Sequence, residues 1–347
     1  MNGLISALVD RDSGAVRSLH WKEGAGRELV DPDRQPGLAH YLYVPGVDPK
    51  SARTVSKVTF RNGETGPIVA SLLVESDAPG AKRLVREYRV VRGLARLDLC
   101  VTIDKEKIRE KEGVHIAFPF AVPGGAVRVD VGWGFVRPET DQIAGACRDF
   151  FCARDSVDVS NREYGVTWTA LDAPLVEIGA ITDETPRESE RRVWKRKLDP
   201  SSLLFSYVMN NYWHTNYKAD QESLVTFRYA VQPHAGFDTS IAKKLGLEAE
   251  QPLVVVPADE SRPVPAFPLS IGPGPVIVTS LKPSADGRGW IMRVFNSGER
   301  TEKLKLSGPL ADRGGLYLSN LLEEKVKPTA GTIQVPAFGI VTLRLDR

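Results

Sequence analysis

Cysteine is scarce in this chain of 347 residues, which has only Cys100, Cys147 and Cys152. Three is an odd number and none stands in a CxxC pair, so neither a disulfide framework nor a cysteine-built zinc centre can be assembled. Cys147 and Cys152 are close enough in sequence to leave one disulfide open, but such usage predicts three reduced thiols. Charge imbalance is nearly absent too. The 46 basic and 44 acidic residues leave +2, which supplies no general field for holding nucleic acid or an anionic membrane. No apolar run approaches the roughly 20 residues that cross a bilayer. The opening MNGLISALVDRDSG lacks the charged start and apolar core of a signal peptide. A cytoplasmic protein with no nucleic-acid partner and no membrane partner is the expectation. Of five histidines, none has Asp two residues later and no two are spaced HxxxH, so no metal-ligand set can be read. Helical periodicity is thin as well, with only 105–111 and 240–245 as short candidates.

What fills the chain instead is strand signal. Residues 3–10 and 15–21 flank a DSG turn. Runs of β-branched and aromatic residues follow at 57–60, 68–75 and 84–91. Residues 94–103 alternate, with Leu97, Leu99 and Val101 on one face and Arg96, Asp98 and Cys100 on the other. Further strands are expected at 114–121, 126–131, 165–170 and 175–178. Many short strands with turns between them indicate sandwiches or barrels, and the length favours two domains. The stretch 232–275 carries eight prolines and reads as a linker. The expected division is therefore 1–235 as a large β-domain, 236–275 as linker, and 276–347 as a compact all-β unit.

Two segments concentrate chemistry. Residues 207–229, YVMNNYWHTNYKADQESLVTFRY, set asparagines, a Trp-His pair, an Asp-Gln pair and tyrosines between two strand-like runs. Aromatic faces cover the C–H patches of a sugar while amides and carboxylates pair with its hydroxyls. On a strand, Phe205, Tyr207, Met209 and Trp213 would share one face, and Ser206, Asn210 and His214 the other. The connection at about 215–223 exceeds a tight hairpin, and long ordered loops often carry function. The plainer account makes Trp213 and the tyrosines packing residues and the asparagines bend residues. The cluster taken whole favours sugar contact.

The second segment is 148–165, RDFFCARDSVDVSNREYG. Here Arg148, Asp149, Arg154, Asp155 and Asp158 surround Phe150 and Phe151. An arginine beside carboxylates can hold vicinal hydroxyls, and a carboxylate pair can serve glycoside cleavage. A structural ion-pair network fits the same residues and is the better account of the pair. The basic RRVWKRK at 191–197 reads as a solvated strand or loop. The Gly-rich pieces at 123–134 and 271–275 fit turns, since neither matches a phosphate-binding loop.

Four blocks taken in order carry a family resemblance. LISALVDRDSGAVRSL with GRELVD, CARDSVDVSNREYGVTWTALDAPLVEIG, NNYWHTNYKADQ with FRYAVQPH, and SLKPSADGRGWIMRVFNSGERTEKLKL with LSNLLEEKV and IQVPAFGIVTLRL span nearly the whole chain. Together they resemble the C-terminal portion of family 38 glycoside hydrolases, the retaining zinc α-mannosidases. The resemblance implies an all-β protein, a galactose-mutarotase-like β-supersandwich followed by a small immunoglobulin-like β-sandwich. It also implies a partner, the N-terminal α/β catalytic domain that carries the His-x-Asp zinc signature and the nucleophilic Asp. No residue here matches that signature, so no catalytic residue and no cofactor is expected in these residues, with zinc expected in that other domain. The β-region would complete the sugar pocket, and by position Arg154, Asp158, Asn211, Trp213 and His214 are the candidates for contacting an α-mannoside-like carbohydrate. The implied function is the non-catalytic region of an α-mannosidase acting in mannose metabolism. Two other readings stay open: a free-standing carbohydrate-binding or structural β-protein, and a mutarotase-like enzyme using His, Glu or Tyr on its own.

Overall fold

The computed structural model describes the chain except residues 24–25, 34–36, 184–194, 213–217, 258–268, 273, 313, 330–331 and 347. It divides into two compact units, Met1–Phe237 and Asp238–Arg347. Both are built almost wholly of antiparallel strands, as the scarcity of helical periodicity predicts.

In the first unit a nine-stranded sheet runs, edge to edge, through Phe135–Val136, Ala126–Asp130, Ser156–Ser160, Tyr164–Ala170, Ser223–Ala235, Leu97–Lys105, Ala81–Val91, Val69–Ala78 and Ser56–Thr65. A five-stranded sheet runs through Phe151–Cys152, Leu175–Ile178, Leu203–Asn210, Glu112–Pro119 and His40–Pro45. A small third sheet holds Ile5–Val9, Val16–Trp21 and Arg27–Glu28. The alternation read at 94–103 is realised, with Leu97, Leu99, Val101 and Ile103 all in the core. Facing them in register across the sheet, Phe227, Tyr229 and Val231 come from the returning strand. The core closes around three rings from two sheets. Trp168 and Tyr229 stack at 5.8 Å, and Phe118 of the five-stranded sheet tilts against them at 4.6 and 4.9 Å. Contacts of this kind add to the apolar area that drives the sheets together.

The DSG turn forms as expected. Asp10 Oδ1 accepts from the backbone of Asp12 and Ser13, and Gly14 takes φ +65°. Residues 105–111, expected as helix, are not helical: Lys105 ends a strand and 106–111 form an irregular connection. Lys105 is buried there against Glu112 at 2.6 Å, a pairing across a connection that helical spacing does not provide. Cys100, Cys147 and Cys152 are free thiols.

In the second unit, Val276–Pro283, Gly289–Asn296, Ile340–Asp346, Leu316–Ser319 and Lys325–Thr329 make one sheet, and Ser270–Ile271, Glu302–Ser307 and Thr332–Val335 another. Met292, Val294, Leu304, Ile333, Val335, Leu343 and Leu345 form their shared core. The unit also takes in Thr239–Glu250, a helix capped by the Asp238 carboxylate on the backbone of Ser240 and Ile241. Among the described residues no helix is long and apolar enough to cross a membrane.

Candidate functional site

Every residue of Glu112–Pro119 is buried, so this strand is covered on both faces. Val114, Ile116 and Phe118 enter the core between the sheets. His115 therefore points to the opposite face, where a second buried layer begins. Its Nδ1 lies 2.8 Å from Glu177 Oε2, a pair that is 1% and 0% exposed. Glu177 Oε1 accepts the Thr182 N–H at 2.6 Å, and Thr182 Oγ1 donates to the Asp149 carbonyl at 3.0 Å. Asp149 Oδ1 in turn accepts the Lys195 N–H at 3.0 Å. The Arg148 guanidinium donates to the Arg196 carbonyl and lies 3.6 Å from Glu139. The basic stretch 195–197 is thus tied to residues 148–149.

The two segments singled out from sequence meet at this layer. Tyr207 stacks on His115 at 4.5 Å and Phe150 meets Tyr207 edge-on at 6.4 Å. Sequence spacing placed Met209 on the same face as Phe205 and Tyr207. A bulge between Tyr207 and Met209 shifts the register, so Met209 enters the core while Phe205 and Tyr207 stay out of it. His115 Nε2 is buried without a hydrogen-bond partner among the described residues. A Cβ on Gly113 would lie 3.1 Å from that nitrogen and 2.5 Å from Tyr212 Oη, so glycine there makes room for both. With Nδ1 against the carboxylate, Nε2 is the ring position left for a further hydrogen bond.

Of the five residues expected to contact sugar, the three that are described are not gathered at one point. Arg154 is more than half exposed, and its Nε is 3.6 Å from Asp155. Asp158 is wholly buried in the nine-stranded sheet. Its Oδ1 accepts Ser160 Oγ at 2.5 Å, and its Oδ2 meets Thr167 Oγ1 at 3.0 Å and His234 Nε2 at 2.8 Å. Asn211 is buried at the end of the five-stranded sheet. It accepts the Glu112 N–H at 2.7 Å and donates to the carbonyls of Ile108, Glu110 and Ala219. Both of its amide ends are spent on backbone, which pins the 106–111 connection. Trp213 and His214 lie outside the described residues.

His234 is the partner that sequence reading missed. Burial works against its charge, but the Asp158 hydrogen bond and charge, with the carbonyls of Ala235 and Gly236, raise its pKa. Sheet register brings the pair together, since Asp158 opposes Thr167 and Gly165 opposes His234. Among the described residues no group of three or more His, Cys, Asp or Glu side chains could hold a metal ion.

Residues 275–343 match the family model described as the glycosyl hydrolases family 38 C-terminal beta sandwich domain. This segment is similar to a family 38 β-sandwich domain. Within it, the buried Asn296 donates to the carbonyls of Arg300, Val335 and Pro336 and accepts the Gly298 N–H, and so joins two turns. Asn320 Oδ1 accepts from the backbone of Leu322 and Glu324 and closes the turn of the NLLE element. The fold extends the likeness to the whole chain. An α-mannosidase from Enterococcus faecalis V583 is similar over 100% of this chain, with TM-score 0.76 and 14% identity. A second structure from Enterococcus faecalis, a protein in glycosyl hydrolase family 38, is similar over the same length with TM-score 0.73 and 14% identity. The chain spans 42% and 43% of those two proteins. No curated protein matches the sequence. The architecture is all-β, as expected, and residues 275–343 match a β-sandwich domain.

Proposed function

We propose that this chain is the carbohydrate-contacting β-region of an α-mannosidase-type glycoside hydrolase, acting in mannose metabolism in the cytoplasm beside an α/β catalytic domain. The observation that carries this reading is the match of 275–343 to a family 38 domain, joined to a fold likeness that runs the full length of the chain. Zinc, in this reading, belongs to the catalytic domain. The work of these residues is positioning. The buried layer of His115, Glu177 and Tyr207, with Phe150 against it, is a rigid base for the segments that hold Arg154 and Asn211. A base whose polar groups are locked by hydrogen bonds holds substrate-facing loops to a small range of positions, and catalysis depends on such precision. Asn211 contributes by fixing backbone, Asp158 by bracing its strand, and Arg154 by offering a guanidinium to sugar hydroxyls.

The test is zinc content and turnover of an aryl α-mannoside, measured on the purified 347-residue chain alone and mixed with a family 38 catalytic domain. The expected result is neither zinc nor turnover alone, and turnover that depends on the chain in the mixture. Zinc-dependent turnover by the chain alone, or a catalytic domain indifferent to its presence, would overturn the proposal.

A further inference from the structure

Beside Asp158, at one end of the nine-stranded sheet, lies an open cavity of about 830 Å³. That volume is within the range of small-molecule sites. Its polar lining comes from Arg128, Ser160, Asn161, Arg162 and Glu163, and its aromatic wall is Phe237. Gly236 also lines it, and a Cβ there would fall 2.9 Å from the Arg162 carbonyl, so glycine keeps these two chain segments close.

Most of these polar groups are already committed. Asn161 donates to the Pro123 carbonyl and accepts from the backbone of Glu163 and Tyr164. The Glu163 carboxylate is paired with Arg27 at 2.8 Å. Ser160 donates to Asp158 and accepts Arg128 Nη1 at 3.0 Å. Two cations remain. Arg162 is exposed and has no carboxylate partner among the described residues. Arg128 is held in place without being neutralised. Its guanidinium lies 4.1 Å over the Phe237 ring, and Phe237 is itself braced edge-on by Phe135 at 5.6 Å. The carboxylate nearest to it, Asp158 at 3.8 Å, is already bound by Ser160, Thr167 and His234. A guanidinium fixed by stacking, by the Ser160 hydroxyl and by a long contact from Nη1 to the Ala126 carbonyl at 3.4 Å is preorganised for a planar or tetrahedral oxyanion.

We propose that this cavity binds an anionic monosaccharide, its phosphate or carboxylate on Arg128 and Arg162 and its ring beside Phe237. The site lies wholly within the first unit and does not rest on the family 38 reading. It would distinguish charged from neutral sugars.

The experiment is calorimetric titration of the full chain with a hexose 6-phosphate, a hexuronate, methyl α-mannoside and inorganic phosphate, repeated on Arg162→Ala, Arg128→Lys and Phe237→Ala. At least one of the two charged sugars should bind saturably, and which one does assigns phosphate or carboxylate. Arg162→Ala and Arg128→Lys should each weaken that binding roughly tenfold or more, the loss expected when one charge-assisted contact is removed. Arg162 is a surface residue, so its variant keeps the fold, which a thermal melt confirms. Phe237→Ala should weaken the sugar and leave inorganic phosphate unchanged. Three results would each overturn the proposal: methyl α-mannoside binding as tightly as the charged sugars, inorganic phosphate binding as tightly as the sugar phosphate, or affinities indifferent to Arg162→Ala and Arg128→Lys.

Discussion

Two buried histidine–carboxylate pairs, each closed at 2.8 Å, sit in the two large sheets of the first unit and are used in opposite ways. Asp158–His234 is saturated. The carboxylate takes three donors, and the second ring nitrogen of His234 meets the Ala235 carbonyl at 2.5 Å. His115–Glu177 has spare capacity, because Nε2 is buried and unpartnered among the described residues. A saturated pair braces the sheet. A pair with one open valence, under aromatic rings and joined by hydrogen bonds to the 148–149 and 195–197 backbone, is what a loop-positioning base needs. The difference teaches that a buried histidine–carboxylate pair must be judged by its unused hydrogen-bonding positions.

Breaking the saturated pair should give the largest effect. Asp158→Ala strands the His234 ring, Ser160 and Thr167 in a dry interior, and should cost about 3–5 kcal/mol of stability by urea unfolding. An apolar exchange of both partners separates the two sites further. His115→Phe with Glu177→Leu removes one donor's partner, the Thr182 N–H, and should cost about 1–2 kcal/mol. Asp158→Leu with His234→Phe orphans two hydroxyls at once and should cost more. Equal losses in the two double variants would end the distinction between them. Asn211→Ala should cost a similar amount, about 1–2 kcal/mol, since it leaves the buried Glu112 N–H without its acceptor. Hydrogen exchange should quicken first in residues 106–111.

Acid and base should act on different histidines. His234 is held above the ordinary imidazole value of 6.5, so its stabilisation is complete below that pH and is lost as pH rises through its folded value. His40 behaves in the opposite sense. Burial, with the nearby Arg86 charge, lowers it to about 4 against the pull of Asp10. Between 6.5 and about 4 the unfolded chain takes up a proton that folded His40 refuses, so stability falls as pH drops through that window. Urea midpoints across that range and above should show the gap between the parent and His234→Gln narrowing toward high pH. The gap to His40→Gln should narrow toward low pH. Parallel profiles would remove both histidines from the pH response.

Alternation and turn chemistry made the sheets legible in sequence. Leu97, Leu99 and Val101, or Val225 through Val231, need only a period of two to find the core. The bulge beyond Tyr207 was not legible, because an inserted residue leaves no compositional mark and reverses the face of everything after it. The buried pairs were invisible for a related reason. His115 and Glu177 are 62 residues apart and Asp158 and His234 are 76 apart, joined only by sheet register. The segments 148–165 and 207–229 do come together, since Phe150 and Tyr207 meet. The residue types that drew attention, however, proved to be mixed in role. Asn211 is spent on backbone, whereas Arg154 is open to solvent.

That contrast between Asn211 and Arg154 sets the smallest stability effect and the sharpest functional one. Arg154 is more than half exposed and its pairing with Asp155 is loose at 3.6 Å, so Arg154→Ala should change stability by no more than about 0.5–1 kcal/mol. If its guanidinium contacts sugar in the assembled enzyme, the same change should raise KM for an aryl α-mannoside roughly tenfold, with kcat moving less. Arg154→Lys should recover part of the loss, because it keeps the charge and gives up the planar fork. Asn211→Ala should instead lower kcat and stability together, the signature of a residue that acts through the fold. An unchanged KM in Arg154→Ala would remove Arg154, and with it the 148–165 segment, from the sugar site.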